Sequence, residues 1–354
     1  MSYEINEKFL EKLVTTPRAT GYEFPAQKVV KEYLENDVDK IAVDRVGNVC
    51  AIINPESKFK IMLAGHIDQI GFQISHIDDK GYLWILPLGG FDTSTLPGKR
   101  VRVISDKGEI LGVIGKKAIH LMKPDERKQA PEMEKLFIDI GCKDEEEAKK
   151  FVDVGDFAVF NYGYSRLGKN NYAVAAGFDD AIGSFIVAEI MKELSKDKNF
   201  YSGVYGVSTV QEEIGLRGAH ISAEAIKPDI GIAFDVGFAA DAPEIEKKMV
   251  GDTKLGGGPI ISIGPNFNPL VVKKLFEIAE KSNIPYQKHA APRGTGTDAN
   301  AIQLSGAATG LLGIPNRYMH TASEIISLDD VKNIILLVVE FIKAIKEGDS
   351  FIPV

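Results

Sequence analysis

Cysteine is scarce in this chain. Only Cys50 and Cys142 occur among 354 residues, and they form no Cys-x-x-Cys pair. That spacing excludes the common cysteine-based metal sites and a disulfide framework. A long apolar run is also lacking, because the longest, Ile334 to Val339, is far shorter than the ~20 residues of a membrane span. We therefore expect a reduced, cytoplasmic protein that has neither a membrane span nor a signal peptide.

Clustered basic residues are missing as well. The chain has 42 Lys and Arg against 50 Asp and Glu, a net charge of −8, whereas phosphate binding requires grouped basic side chains. No nucleic-acid partner is therefore expected. The sequence also contains no Gly-x-Ser-x-Gly elbow, Walker loop or His-Glu-x-x-His motif, which argues against the chemistries that those motifs perform.

Apolar runs alternate with helical patterns over most of the chain, which predicts an α/β fold with a sheet sandwiched by helices. The predicted strands are residues 60–66, 203–209, 229–235 and 307–315, and the main predicted helices are residues 22–36, 180–196, 270–283 and 327–348. Thr20 and Glu23 are interpreted as a capping box for the first of these helices. Ser327 is interpreted as the cap of the last helix and Gly348 as its stop.

One region departs from this alternation. Between residues 70 and 165, short strand-like runs follow one another and are separated by Gly and Pro. Such a segment is too long for a connection between neighbouring strands. We therefore predict an inserted β-rich domain at residues 70–165, with residues 1–69 and 166–354 forming the other domain.

Polar side chains follow the apolar strands at the points where they end. They are His66, Asp68, Asp179, Asp180, Glu212, Glu213, Asp235 and His320. Because ligands bind at the carboxyl ends of strands in an open α/β sheet, we expect these side chains to converge. Histidine and carboxylate together form a ligand set that suits zinc, cobalt or manganese.

The number of carboxylates indicates two metal ions that share one bridging carboxylate, since gathering so many anions without cations is costly. In such a site, one member of the Glu212-Glu213 pair ligates an ion and the other accepts a proton from the attacking water. Simpler interpretations stay open at this point. Glu212 and Glu213 are also compatible with a solvated helix start, Asp179 and Asp180 with a helix cap, and Asp68 with a turn.

Six segments together resemble the TET aminopeptidases, which are cytoplasmic dinuclear metallopeptidases. The segments are "GHIDQIGF", "GFDDAIG", "TVQEEIGLRGA", "AFDVGFAAD", "GTGTDANAI" and "IPNRYMHTASE". The resemblance extends over nearly the whole chain. It implies a mixed sheet of the zinc-aminopeptidase type, an inserted β-barrel-like dimerisation domain, and dimers that assemble into a hollow tetrahedral dodecamer. The implied activity is removal of N-terminal residues from peptides.

The resemblance also implies a role for individual residues. Asp179 is expected to bridge two ions, with Glu213 and His320 completing one site and His66 and Asp235 the other. Glu212 is the expected general base, and Asp68 is expected to orient the imidazole of His66. A cis peptide is expected between Asp179 and Asp180.

Substrate contacts are expected from two further positions. Arg293 lies in a segment that approaches the substrate in the family, and Gly257 lies in a glycine-rich loop that we place near the substrate. The chain departs from many family members at Gln69, where they have Glu, and at Ala181, where they have Arg. Neither position is a ligand, so the chemistry is expected to stand while pocket polarity or subunit contacts change.

Two other functions stay open from the sequence. A glycoside hydrolase of the endoglucanase type also uses paired carboxylates, but it needs no histidine ligands and requires carboxylates that flank the scissile bond. A non-catalytic assembly protein is disfavoured because every ligand position is filled. The sequence leaves the preferred N-terminal residue, the native metal and the size of the assembly undetermined.

Overall fold

The computed structural model describes residues 3–354. Helices of the described residues are α1 (Glu7–Thr15), α2 (Phe24–Leu34), α3 (Glu145–Ala148), α4 (Phe178–Ser195), α5 (Arg217–Ile226), α6 (Lys247–Val250), α7 (Pro269–Lys281), α8 (Asp298–Leu304) and α9 (Leu328–Ala344). The first strands are β1 (Lys40–Val43), β2 (Val49–Ile53), β3 (Lys60–His66), β4 (Gly71–Ile77), β5 (Leu83–Leu88), β6 (Arg100–Ser105), β7 (Gly108–Gly115), β8 (Phe137–Asp139) and β9 (Phe157–Phe160). The later strands are β10 (Ser165–Leu167), β11 (Tyr172–Ala175), β12 (Gly203–Thr209), β13 (Ile230–Phe238), β14 (Ile260–Ile263), β15 (Gln287–Ala290), β16 (Ala308–Arg317) and β17 (Glu324–Ser327).

The larger of the two β structures is an 11-stranded mixed sheet with the strand order β1-β2-β12-β3-β13-β16-β17-β11-β10, to which β14 and β15 add beside β16. Its four central strands, β12, β3, β13 and β16, are parallel. These strands are buried almost throughout, which explains why they are continuous apolar runs in the sequence. Their carboxyl ends all lie at one edge of the sheet.

Helices cover both faces of this sheet, as predicted. One group contains α4, which contacts β3 and β13 and packs on α1, α2 and α9. A second group contains α5 and α8, which pack on each other and on the same central strands. A glycine pair lets α4 approach β3, because a Cβ atom on Gly65 would lie 2.3 Å from the carbonyl carbon of Gly183. This close approach brings the start of α4 to the end of β3.

The second β structure is a closed antiparallel barrel with the order β4-β5-β8-β7-β6-β9. It has its own core, which includes Phe72, Leu83, Val101 and Ile138. The barrel lies within the predicted insertion, and the resemblance to a β-barrel is confirmed. The predicted domain boundaries at residues 70 and 165 stay a prediction.

Two predictions about helix ends are wrong. The hydroxyl of Thr20 donates to Asp68 instead of capping a helix, and Oε1 of Glu23 accepts from the backbone N–H groups of Gly21 and Gln211. The predicted stop of the last helix at Gly348 is also wrong, because α9 ends at Ala344. Ser327 does occupy the N-cap position of α9, as predicted, although its side chain makes no capping hydrogen bond. Both side chains of the predicted capping box thus form hydrogen bonds to distant parts of the chain, Thr20 to Asp68 and Glu23 to Gln211.

Within residues 3–354, no helix has the length and apolar character required to cross a membrane.

Candidate functional site

The site forms where the central strands end. β3 ends at His66, which is paired in register with Thr209, the last residue of β12. Asp235 lies on β13 opposite Gly313 of β16. Because these strands are parallel, their ends place His66, Asp235 and the segment after Thr209 at the same edge of the sheet, as the sequence predicts.

Asp179 lies between the two predicted histidine ligands. Its Oδ1 atom is 3.3 Å from Nε2 of His66, and its Oδ2 atom is 3.1 Å from Nε2 of His320. Asp179 and Asp180 have non-helical dihedral angles at the start of α4, and the peptide bond between them is cis, as the resemblance implies. One carboxylate thus presents one oxygen to each imidazole, which is the arrangement expected of a ligand shared by two cations.

Two groups of potential metal ligands share Asp179. In each group, the ligand atoms lie within 4.8 Å of one another. The first group is His66, Asp179 and Asp235, and the second is Asp179, Glu213 and His320. The structure therefore brings together all five predicted ligands, in the predicted pairing. Oε1 of Glu213 is buried without a hydrogen-bond partner, so the donor set fits a divalent cation that would complete it.

The hydrogen bonds of the two histidines leave the same nitrogen atom free in both. Nδ1 of His66 lies 3.0 Å from the backbone oxygen of Asp68, and Nδ1 of His320 lies 2.9 Å from the backbone oxygen of Gly90. Each Nδ1 is therefore a donor to a backbone oxygen, and each Nε2 faces the carboxylates, where it is available to a cation once it has lost its proton. Metal-binding histidines have this arrangement in general.

Burial dominates the electrostatics of the cluster. Burial raises the pKa values of Asp235, Glu212 and Glu213. Burial would lower the pKa of His66, but Glu212, Asp179 and Asp68 outweigh it and the pKa is raised. Without cations, the protein thus has to retain protons in the cluster to limit repulsion. Divalent cations would replace these protons and stabilise the ionised ligands.

Asp68 organises the two glutamates through their backbone. Its Oδ1 atom accepts a hydrogen bond of 3.0 Å from the N–H of Glu212, and its Oδ2 atom accepts one of 3.2 Å from the N–H of Glu213. The carboxylate is 3.5 Å from Nδ1 of His66, farther than the backbone oxygen of the same residue. Asp68 is thus placed to orient His66 mainly through its main chain, while its side chain fixes the Glu212-Glu213 segment.

Glu212 and Glu213 are not a solvated helix start, because α5 begins only at Arg217. Glu212 is 7% exposed, and its Oε2 atom is 3.8 Å from Nε2 of His66. Glu212 belongs to neither ligand group. The two neighbouring glutamates therefore occupy different positions, one among the ligands and one beside them.

Sequence reasoning missed two buried acids beside the cluster. Glu324 accepts hydrogen bonds from the backbone N–H groups of Asp179 and His320. Asp298 accepts a hydrogen bond from the hydroxyl of Thr209, and its Oδ1 atom is buried without a partner. Asp298 lies in the segment "GTGTDANAI" and Glu324 in "IPNRYMHTASE", both of which carry the resemblance to the family. Their position in these segments was the sequence signal that could have identified them.

The structure does not place Arg293 and Gly257 among the ligands. The side chain of Arg293 is exposed in the loop before α8. Gly257 lies in a turn whose neighbouring N–H groups donate to Asp330 of α9, and a Cβ atom there would lie 2.5 Å from the side chain of Gln287. Their predicted contacts with substrate stay predictions.

The two departures from the family pattern are both buried. Ala181 is fully buried in α4, where its side chain belongs to the main core. Gln69 is 5% exposed, and its side chain packs so closely on Gly177 that a Cβ atom there would lie 2.3 Å from Oε1 of Gln69.

A cavity of about 120 Å³ opens beside Asp235. Its described lining includes Val236, Phe238, Val250, Ile260, Ser262, His289, Thr295, Thr297 and Leu311. The lining is mostly apolar with a few hydroxyl groups. His289 therefore lines a cavity next to a candidate metal ligand.

Comparison with known proteins agrees with this geometry. Residues 47–337 match the M42 glutamyl aminopeptidase family. The chain belongs to this family. It is therefore a peptidase, a hydrolase that removes N-terminal residues, and the predicted resemblance is confirmed. M42 peptidases are metalloenzymes, as the ligand groups indicate.

Relatives match over nearly the full length. A lysyl aminopeptidase of Pyrococcus furiosus is 35% identical over 98% of this chain and 99% of its own. The TET aminopeptidase of Thaumarchaeota archaeon SCGC AB-539-E09 has a TM-score of 0.92 and 34% identity, with 96% of each chain covered. The TET1 peptidase of Pyrococcus horikoshii, which can assemble into a tetrahedron or a large octahedral shell, has a TM-score of 0.86 and 30% identity over 96% of this chain and 99% of its own.

Proposed function

We propose that this M42 aminopeptidase cleaves the N-terminal peptide bond with two divalent cations, zinc, cobalt or manganese. The observation that carries the proposal is the position of Asp179 between His66 and His320. His66, Asp179 and Asp235 would hold one cation, and Asp179, Glu213 and His320 would hold the other.

Glu212 is the general base of this proposal. The cations, when bound, supply Lewis acidity that lowers the pKa of a water molecule and polarises the peptide carbonyl. Glu212 accepts a proton from the attacking water and donates it to the leaving amine. Two geometric observations support this role of Glu212. Its side chain lies beside the two proposed ligand groups but belongs to neither, and its backbone N–H donates to Asp68.

The substrate is a peptide with a free N-terminus. The buried carboxylates around Asp235 and Glu212 provide negative charge that a protonated or ligating α-amine can approach. The cavity beside Asp235 provides space for the side chain of the first residue. An acetylated N-terminus would lack the charge and the lone pair that this recognition needs.

We also propose a cytoplasmic homo-oligomer in which residues 70–165 form the dimerisation domain and dimers build a tetrahedral dodecamer. The inserted region exposes large apolar side chains, including Leu86 at 52%, Leu111 at 53%, Ile119 at 58% and Leu121 at 72%. Exposed apolar side chains of this kind are typical of surfaces that a second subunit covers.

The experiment that tests the reaction compares three substrate classes with purified protein. We expect release of the first residue from free peptides and aminoacyl-nitroanilides, no release from N-acetylated peptides, loss of turnover with a chelator, and recovery with added zinc, cobalt or manganese. Internal cleavage of acetylated peptides would contradict the aminopeptidase mechanism. Chelator-insensitive hydrolysis of a soluble cellulose derivative would favour a glycosidase, and no turnover on any class would favour an assembly protein.

A further inference from the structure

The inserted barrel reaches the candidate metal centre through a short segment after β5, Gly89 to Phe91. The backbone oxygen of Gly90 lies 2.9 Å from Nδ1 of His320, although the two residues are 230 positions apart in the chain. This contact fixes which nitrogen atom of His320 carries the proton, and so which one is free to bind a cation. The acceptor that prepares His320 for an ion therefore belongs to the barrel region.

Gly89 brings the same segment against the other ligand of that ion. A Cβ atom on Gly89 would lie 3.1 Å from Oε2 of Glu213 and only 2.5 Å from the side chain of Ile70. Its φ angle is +84°, a conformation that glycine adopts without strain. Position 89 thus requires glycine, both because of its positive φ angle and because a side chain there would collide with Ile70 and press on Glu213.

Phe91 anchors the segment in the barrel. Its ring stacks on Phe72 with a centroid distance of 4.6 Å and meets the ring of Phe160 edge-on at 6.0 Å. Phe72 and Phe160 belong to the barrel core. Since Phe91 directly follows Gly90, the packing of the barrel determines where the Gly90 oxygen lies.

We propose that Gly89 to Phe91 is a positioning segment through which the inserted barrel sets the affinity of the Glu213-His320 ion. The segment touches Glu213 and His320, whereas His66 takes its acceptor from Asp68 of the other structural unit. The barrel is therefore a component of one of the two ion sites in addition to its proposed role in assembly. This inference rests on the proposed two-ion centre.

Two glycine variants test the proposal by equilibrium binding of cobalt or zinc to metal-free protein, monitored by calorimetry. Gly89→Ala has to displace the segment, so we expect one of the two ions to bind about 10- to 100-fold more weakly and the other to be unchanged. Gly98→Ala is the matched control for backbone strain, because Gly98 lies outside the segment, has a φ angle of +82° and has nothing within 4 Å of its Cβ position. This control should bind two ions as the wild type does.

A second pair of variants keeps the test independent of how Gly89→Ala folds. Phe91→Ala removes the anchor and should weaken the same ion. Ile138→Ala removes a barrel-core side chain that pairs with Leu83, at the opposite end of β5 from the segment, and should not. In a His320→Ala background, Gly89→Ala should cause no further loss, because its effect acts through the Glu213-His320 site.

Other results would overturn the proposal. Unchanged binding of both ions in Gly89→Ala and Phe91→Ala, or equal weakening of both ions, would show that the segment does not set one site. A wild-type protein that binds fewer than two ions would overturn the two-ion centre and this inference together. Two-ion binding without peptidase turnover would remove the proposed reaction and leave the positioning segment supported by the same comparison.

Discussion

Oε2 of Glu324 accepts a hydrogen bond of 2.8 Å from the backbone N–H of Asp179, 145 positions earlier in the chain. The other oxygen of Glu324 accepts one of 3.0 Å from the N–H of His320. A single buried carboxylate thus sets the distance between the backbones of Asp179, the predicted shared ligand, and His320, a predicted histidine ligand. Burial raises the pKa of Glu324, so this acid occupies a position that is unfavourable for its charge.

Glu324→Gln tests this relationship. The amide keeps one oxygen acceptor but presents an N–H group to the other backbone donor, which is left unpaired. We expect metal affinity to fall about 10- to 100-fold and excess metal to restore most of the turnover. Glu347→Gln is the control, because Glu347 is exposed near the chain end. Unaltered metal affinity in Glu324→Gln would contradict the positioning role.

Substitution of Glu212 and substitution of Glu213 should impair the peptidase in different ways. Glu213→Gln replaces an anionic ligand with a neutral one, so metal content should fall and added metal should restore some activity. Glu212→Gln should retain both metals and lose about 10²- to 10⁴-fold in kcat, without rescue by metal. Retention of more than about a tenth of wild-type kcat by Glu212→Gln at saturating metal would rule out Glu212 as the base.

The metal content of the purified protein gives a direct count of the bound ions. The two ligand groups that share Asp179 predict that elemental analysis of reconstituted protein approaches two metal ions per chain. Asp179→Ala removes the shared ligand and should lower the affinity of both ions, whereas Asp235→Ala should affect mainly one. A plateau at one ion in the wild type would exclude the dinuclear arrangement.

The cavity beside Asp235 predicts the preferred first residue. Apart from Asp235, a proposed cation ligand, and His289, its described lining is apolar or hydroxylic and includes no Lys, Arg or Glu, so beyond Asp235 the pocket offers no acid or strong base to pair with a charged side chain. We expect a higher kcat/KM for Val- or Leu-nitroanilide than for Lys- or Glu-nitroanilide. Ile260→Asp should raise the relative rate on Lys, and Ile263→Asp, an exposed position on the same strand, should not. A wild-type preference for Lys or Glu would contradict this assignment.

Assembly is expected to depend on apolar side chains of the inserted region. Leu121→Lys places a charge on a side chain that is 72% exposed, so it should leave the fold intact while opposing subunit contact. We expect smaller particles in light scattering than for the wild type. Met249→Lys alters a side chain that is 75% exposed outside the insertion and serves as control. Unchanged particles for Leu121→Lys would place the contacts elsewhere.

The strands that carry the predicted ligands could be predicted because both faces of these strands are buried, so their sequences are continuous apolar runs. The predicted strand at residues 60–66 matches β3 residue for residue, and that at residues 203–209 matches β12. The carboxyl ends of parallel strands meet at one edge of a sheet. For this reason, the convergence of His66, Asp235 and the Glu212-Glu213 pair could be predicted before any distance was known.

Residues that act across long sequence separations could not be recognised in this way. The capping-box pattern of Thr20 and Glu23 is a local signal, but the hydroxyl of Thr20 donates to Asp68, 48 positions away. The Gly90 carbonyl carries no side-chain signal at all, because any residue has a backbone oxygen. Its importance follows only from the folded position of His320.

The order of the ligands along the chain has a consequence for protein synthesis. His66 is the first predicted ligand to leave the ribosome and His320 is the last, followed closely by Glu324, which holds the backbone of Asp179. A nascent chain that ends before residue 320 thus lacks a ligand, the clamp on the shared carboxylate, and the strand β17 that carries Glu324. Peptidase activity is therefore not expected before residues 320 to 324 have been synthesised and folded against Asp179.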